Sequence, residues 1–366
     1  MTTAAVISLG SKSSKMTAEA LEKYFDKVDM INIKEIEITL GSNGKSTQIS
    51  YKGEPLAQYD CAYVKGSFTY AIIASAISSY LSKTTYIPVN ENAFTTVHDK
   101  ILTHIALEKA KIPAPKTYLS ATPAAAKAIL KTINYPVILK FPQGTQGKGV
   151  MFAESFAAAS SVLDALVSLK QPFLIQEYVE TGGTDLRAIV VGDQVVASMQ
   201  RKAAGEDKRS NIHAGGTGEA AILDPKAKRI AIETAKALNC DICGVDILSG
   251  PTGPFVIEAN ISPGLQGITQ ATGINVADKI ASYLYAQTIL FKEKLAAAKS
   301  PSASELLTEL SSSKSDETEG QQIITNIDYR GSRILIPEAV SKMSKFNDGQ
   351  DAVFEVKRNE IRIRKV

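Results

Sequence analysis

Asp246, Glu258 and Asn260 fall within one stretch, GVDILSGPTGPFVIEAN (244–260), which reads as two strands around a Gly-Pro-Thr-Gly turn. Side chains alternate along a strand, so Glu258 and Asn260 face the same way. With the turn centred between residues 251 and 252, Asp246 lies roughly opposite Ile257 or Glu258, and a small register adjustment puts all three on one face. Two carboxylates and an amide oxygen are hard ligands of the kind Mg²⁺ takes. Without a cation, two carboxylates among apolar neighbours would repel each other and be costly to bury.

A cation site of this kind raises the question of where a phosphate would sit. GSNGKST (41–47) has the Gly-Lys-Ser of a phosphate loop, but the residue five before Gly44 is Thr39, and TQISYKG after it alternates as a strand. Such a loop needs a helix directly behind it, with free N–H groups and a dipole aimed at the anion. The stretch is read as a hairpin turn, with Asn43-Gly44 at its left-handed positions. YPVILKF (135–141) is a near-continuous apolar strand ending in Lys140, followed by QGTQGKGV (143–150) and the strand MFAES. Gly144, Gly147 and Gly149 make a loop whose N–H groups can close over phosphates, and Lys140 could reach the same anion. Lys100 falls in the first turn of a helix that Thr96-Val-His-Asp99 opens with a capping-box pattern. A cation there is unfavourable unless an anion is near.

The elements around these residues follow from periodicity. AAVISLG is a short buried strand, MTAEALEKYFDKV a helix, and DMINIKEIEITL, TQISYKGEPL and CAYVKGS read as strands, so residues 1–95 form a small α/β domain. FLIQEYV (173–179) is a further strand. DLRAIVVG and QVVASMQRK make a hairpin across Gly192-Asp193, and a helix starts at Asp224-Pro225. The chain has 366 residues, too long for one core. Its 44% hydrophobic and 22% charged residues are ordinary for a soluble protein. No apolar run reaches the ~18 residues of a membrane span, and the N-terminus lacks a signal-peptide pattern, so no membrane partner and a cytoplasmic location are expected. Three cysteines fit a reducing compartment, and Cys240-Asp-Ile-Cys243 lacks the second pair a zinc site needs. No repeat of solenoid length occurs. Ser, Thr, Glu and Lys dominate 299–321. Residues 323–366 hold nine Lys and Arg against six Asp and Glu, which accounts for the whole net charge of +3.

YPVILKF, QGTQGKGV, IQEYV, DLRAIVVG, RSNIHAGG, GVDI and IEANISPGLQGI together resemble a RimK-type ATP-grasp ligase, in family order over about residues 85–290. RSN-x-H and EANISPGLQGI are the more specific of these motifs. The resemblance implies a fold that is α/β and α+β. A pre-ATP-grasp α/β domain (1–95) precedes an ATP-grasp domain (96–290) of two α+β subdomains (96–172 and 173–290). A linker (291–321) leads to a small C-terminal β-rich dimerisation domain (322–366). The function implied is ATP-dependent carboxylate–amine ligation, with L-glutamate as the amine, an acceptor carboxylate on a protein C-terminus, peptide or small molecule, and an acyl-phosphate intermediate. The cofactors implied are ATP and Mg²⁺, with Mn²⁺ as a substitute. Lys100 and Lys140 are then expected at the phosphates, under a lid formed by 143–150 with Gly144, Gly147 and Gly149. Gln176, Glu177, Tyr178 and Val179 are expected in the hinge that reads adenine, and Asp185 and Arg187 near ribose and phosphates. Arg187, Arg209 and Asn211 are the expected catalytic residues, with Arg209 and Asn211 facing the γ-phosphate, and Asp246, Glu258 and Asn260 are the expected Mg²⁺ ligands.

The departures from the pattern concern the acceptor. Lys65-Gly66-Ser67 stand near where the family carries an arginine-containing motif, Ala214 where it has a basic residue, and Lys148 where it has an apolar one. A ribosomal-protein acceptor is therefore not assumed. His98 and His104 read as surface or packing residues of a helix, while His213 could touch phosphate or acceptor. The tail, with YRGSRILIPEAV and FEVKRNEIRIRKV, resembles an AbrB-type swapped hairpin, which implies a homo-oligomer. DNA binding by the tail, in a nucleotide-responsive regulator, is the alternative, and a charge of +3 is modest for it.

Overall fold

The computed structural model describes residues 1–41, 47–142, 149–168, 172–202 and 217–299, and in the tail the strands 328–330, 333–335, 352–357 and 360–365. Residues 1–300 form one compact unit and residues 301–366 another.

Strand β1 (Thr3–Ser8) is small and apolar along almost its whole length and is buried on both faces, as a central parallel strand must be. Helix α1 (Lys12–Leu21) starts at Ser11, whose side chain accepts from the N–H of Ser14. It returns the chain to β2 (Lys27–Asn32), parallel to β1. A three-stranded meander follows: β3 (Ile36–Thr39), β4 (Gln48–Tyr51) and β5 (Glu54–Pro55). β3 and β4 pair antiparallel from Ile36–Tyr51 to Thr39–Gln48. A strand, not a helix, therefore follows GSNGKST, although Asn43 and Gly44 lie outside the described residues. β6 (Cys61–Val64) completes the sheet in the order β2-β1-β6, and α2 (Ala71–Leu81) packs on it.

The helix expected to open at Thr96 begins later. Thr96 lies inside α3 (Glu91–His98), and Asp99 breaks the chain with extended angles before α4 (Lys100–Lys109). The Asp99 carboxylate caps α4, accepting from the N–H groups of Ile101 at 2.8 Å and Leu102 at 3.1 Å. Asp99 outcompetes Thr96 as the cap, and Lys100 becomes the first residue of the helix.

Two antiparallel sheets follow. The smaller comprises β7 (Thr117–Tyr118), β8 (Val137–Lys140), β9 (Val150–Ala153) and β10 (Leu174–Glu177), in the order β7-β10-β8-β9. Helices α5 (Pro123–Leu130) and α6 (Phe156–Ser168) accompany it, and Leu130, Leu139, Leu163 and Ile175 sit in its own core. The larger comprises β11 (Thr184–Val191), β12 (Gln194–Lys202), β13 (Thr217–Ala220), β14 (Ile242–Gly250) and β15 (Gly253–Asn260), in the order β13-β12-β11-β14-β15. Helices α7 (Pro225–Ala237), α8 (Gln266–Thr272) and α9 (Val276–Lys299) pack with it. Its core is continuous with that of the N-terminal sheet. α9 runs to Lys299, nine residues into the stretch the sequence assigns to a linker, and is tied to the N-terminal region by Lys23–Asp278 at 2.9 Å and Lys292–Asp60 at 2.7 Å. The three cysteines are free and buried in this core, and burial pushes the Cys61 and Cys243 thiols up to about 12.

In the tail, β16 (Asp328–Arg330) pairs with β17 (Arg333–Leu335), and β18 (Ala352–Lys357) with β19 (Glu360–Lys365), both antiparallel.

Gly192 turns the β11–β12 hairpin with φ +62°, and a Cβ there would lie 2.5 Å from the Tyr283 ring. Gly192→Ala is expected to destabilise the protein by ~1–3 kcal/mol, read as a lower urea midpoint with an unchanged slope.

Candidate active site

Two one-residue irregularities assemble the charged face of the large sheet. From Gly250–Gly253 to Ile247–Val256 the β14–β15 ladder keeps the register set by its turn. It then shifts by one residue, so Asp246 pairs with Glu258 and Gly244 with Asn260. The small register adjustment expected from the sequence is this bulge. A second shift, between Ile189 and Val190, lets Asp185 pair with Arg201 rather than with Gln200.

The result is a chain of buried charges. Arg187 holds Asp246 in a fork, Nε to Oδ1 and Nη2 to Oδ2, both at 2.7 Å. Arg201 reaches the same carboxylate at 2.9 Å and donates from Nε to Asp185 Oδ1 at 2.6 Å. Asp185, Arg201 and Asp246 are all 5% exposed or less. The two guanidinium groups outweigh desolvation and hold the Asp246 carboxyl far below the usual carboxylate range. Glu258 moves the other way: desolvation and the neighbouring Asp246 raise it, against the pull of Lys100, Arg187 and Lys140. Asp185 was expected to line the nucleotide site. Its carboxylate is instead engaged by Arg201, which sequence reading missed.

Lys140 ends β8 and donates to Gln176 Oε1 at 2.5 Å. The Gln176 amide nitrogen reaches Thr117 Oγ1 at 2.9 Å and His104 Nε2 at 3.0 Å. Burial, with Lys140 and Lys100 nearby, lowers His104 to about 4, so the ring is neutral and accepts from the amide. His104 thus fixes which end of Gln176 faces Lys140. The Gln176 side chain thus orients Lys140 and is itself buried. Lys100 approaches from α4, its N–H donating to the Pro142 carbonyl at 3.0 Å.

In the hinge, Glu177 donates its N–H to Lys116 at 2.9 Å and accepts from the Tyr118 hydroxyl at 2.7 Å. The Tyr178 N–H reaches the Pro136 carbonyl at 3.4 Å. Val179 packs against Gly250, where a Cβ would lie 2.7 Å from Val179 Cγ1. Gly149 closes the base of the 143–150 loop with φ +76°; its carbonyl accepts from the Phe141 N–H at 3.2 Å, and a Cβ would run into the Phe141 ring. Gly144, Gly147, Arg209, Asn211 and His213 lie outside the described residues.

A cavity of about 170 Å³ joins these parts to the N-terminal region. Lys100, Glu258 and Asn260 line it on one side, and Gly66, Ser67, His98 and Ser262 are also in its wall. His98 and His104, expected as surface or packing residues, thus lie on two successive helices that both face the site.

The RimK-like ATP-grasp domain family matches residues 97–284. A "Probable alpha-L-glutamate ligase" of Marinomonas sp. (strain MWYL1) is 35% identical over 285 residues, 77% of this chain and 94% of that one. The chain belongs to the RimK-like ATP-grasp family. The RimK domain ATP-grasp protein from Sphaerobacter thermophilus DSM 20745 shares the fold, with a TM-score of 0.60 at 20% identity over 77% of this chain and 99% of that one. So does the ATP-grasp ligase PsnB, complexed with minimal precursor, Mg and ADP, with a TM-score of 0.60 at 18% identity over 78% of this chain and 98% of that one.

The donor set fits the Mg²⁺ that an ATP-grasp ligase uses. Glu258 is a half-buried carboxylate kept from ionising easily by its surroundings, so a cation would stabilise its charge. The Asn260 side-chain oxygen accepts from the Ser262 N–H at 2.8 Å and has a second lone pair. Asp246 can offer only the lone pairs its two arginines leave.

Two outcomes follow from this electrostatic arrangement. Arg201→Met leaves Asp185 and Asp246 short of a buried countercharge and is expected to cost ~3–5 kcal/mol in urea unfolding, with Asp185→Asn in the same chain recovering part of the loss. Burial holds the Lys140 amine down at about 8, so it loses its proton just above neutral pH. Bound phosphate favours the charged amine, so ADP affinity should be flat below about pH 8 and fall above it, by up to ~10-fold per pH unit. Calorimetric titration across that range should show the slope in the wild type and none in Lys140→Met.

Proposed function

We propose that this protein joins an acceptor carboxylate to the amine of L-glutamate at the expense of ATP. The observation that carries the reading is the convergence of Lys100, Lys140 and Arg187 on Glu258 and Asp246 beside a cavity large enough for a reacting group. The "Probable alpha-L-glutamate ligase" relatives support glutamate as the amine.

A carboxylate is a poor electrophile at neutral pH. In the first step its oxygen attacks the γ-phosphorus of ATP and ADP leaves, giving an acyl phosphate. In the second, the amine attacks the acyl carbon, inorganic phosphate leaves, and the nitrogen gives up a proton. Bound Mg²⁺ would neutralise charge on the phosphates. Lys140, oriented by Gln176, and Lys100, at the start of α4, hold the phosphates in place. Arg187 is fixed by its fork to Asp246, so its charge needs no reorganisation as the phosphoryl group moves. Arg209 and Asn211 are proposed to complete the site over the γ-phosphate, and the backbone of 177–179 to read adenine. PsnB complexed with its minimal precursor supports a peptide or protein carboxylate as an acceptor class.

The tail is proposed as a dimerisation module. Its two hairpins belong to a segment too small to build a stable core alone. Deleting 322–366 is expected to halve the particle mass in sedimentation.

The main test is ADP release with ATP, Mg²⁺ and each amino acid in turn, with mass spectrometry of products. Glutamate is expected to stimulate release and to appear as a glutamate-sized addition. Glu258→Gln is expected to lower turnover by at least ~10³-fold while circular dichroism stays unchanged; full activity in that variant would sink the metal assignment.

A further inference from the structure

Three buried polar atoms at or just behind one wall of the cavity make no hydrogen bond among the described residues: Lys65 Nζ, His98 Nε2 and Ser262 Oγ. His98 and Ser262 line the cavity, and so does Gly66, the residue next to Lys65. The His98 ring donates to the Gly66 carbonyl, which leaves Nε2 as the nitrogen without a partner.

Lys65 is the most costly of the three. It continues β6, its N–H donating to the Ile7 carbonyl at 2.8 Å, and it is only 4% exposed. Its ammonium lies 5.1 Å from the centre of the Tyr63 ring, on the same side of the strand. The Tyr63 hydroxyl reaches the Ile261 carbonyl at 3.4 Å, so this side of β6 faces the segment that carries Ser262. Burial alone pulls the amine down to about 8, with no carboxylate opposing it. The Tyr63 face offers only partial compensation for a buried charge. By contrast, Arg201 is paired with Asp185 and Asp246, and Lys140 with Gln176.

We propose that Lys65, together with Ser262 of the cavity wall, recognises a carboxylate of a bound substrate that does not itself react. This rests on the ligase reading above. In that reading the phosphates already have Lys100, which lines the cavity with Glu258, and Lys140 and Arg187, whose charges act on Glu258. One ammonium and one hydroxyl suit a single monoanion better than a phosphate, which takes several cations. Both substrates of the proposed reaction can carry such a group: the α-carboxylate of the amine substrate, or a second carboxylate on the acceptor. A lysine held without a countercharge also gives selectivity, because a neutral carboxamide in the same place leaves the ammonium unpaired.

The test is binding, so it does not depend on turnover. Full-length wild type, Lys65→Met and Lys65→Arg are titrated calorimetrically with L-glutamate, N-acetyl-L-glutamate and the α-carboxamide of each, with Mg²⁺ and a non-hydrolysable ATP analogue present. The wild type is expected to prefer one carboxylate over its carboxamide by at least ~30-fold, as for a charged hydrogen bond. Lys65→Met should bind that pair equally, Lys65→Arg should keep the preference, and nucleotide affinity should be the same in all three. Preference within the glutamate pair alone assigns the group to the amine substrate, and within the N-acetyl pair alone to the acceptor. Equal discrimination by wild type and Lys65→Met, or no binding of any of the four probes, overturns the proposal. Failure of the ligase reading shows separately, as no ADP release from the wild type with any amino acid.

Discussion

The site depends on one carboxylate being held by two arginines. Asp246 is buried and accepts from Arg187 through both oxygens and from Arg201 through one. Neither arginine could stay in this face of the sheet without it, and Asp185 supplies the remaining charge for Arg201. A buried ion pair is weak support for stability, since desolvation offsets much of the attraction. Its value here is geometric. Three strands, β11, β12 and β14, are fixed in register by side chains that would each be left unpaired by a slip of one residue. Glu258, opposite Asp246, feels that fixed charge and is pushed toward its neutral form, which leaves it suited to a cation and poorly suited to being alone.

The two lysines proposed to meet the nucleotide are controlled differently. Lys100 and Lys140 come from elements outside that sheet, and Lys140 belongs to a lobe with its own core. Burial weakens the charge of Lys140, while Gln176 aims it. The neutral His104 ring completes that arrangement without adding a charge that would compete for phosphate. Arg187 and Arg201 are locked to carboxylates in the protein itself, whereas Lys140 is held by the neutral Gln176 amide.

Much of this was legible in the sequence, and the parts that were not share a cause. Strand alternation placed Glu258 and Asn260 together, and the apolar run ending in Lys140 marked the strand and its loop. The Asp185–Arg201 pair was hidden because the Gly192 turn, counted without a bulge, sets Asp185 against Gln200. A bulge is one extra residue whose signal lies in the packing of both strands, so a single chain read locally does not show it. The capping-box pattern that opens at Thr96 is local, and the continuation of α3 through His98 moves the cap to Asp99. His104 looked like packing because its partner, Gln176, is 72 residues away. Arg209 and Asn211 were named from motif alone and lie outside the described residues, so their assignment stays with the motif.

The N-terminal region brings one of the departures from the family pattern to the cavity. Its sheet shares a core with the sheet that carries Asp246 and Glu258; the chain leaving β6 brings Gly66 and Ser67 to the cavity wall, with Lys65 next to Gly66, while α3 brings His98. The residues proposed to hold the triphosphate and its cation, Lys100, Lys140 and Glu258, enter from other elements. A change there alters what is bound next to the phosphate without altering how the phosphate is handled. Lys65 stands near where the family resemblance implies an arginine-containing motif, and a lysine offers the charge without the planar fork. The chain therefore keeps a demand for an anion at that place while relaxing the geometry with which the anion is met, which is the form a change of substrate would take if the chemistry were left alone.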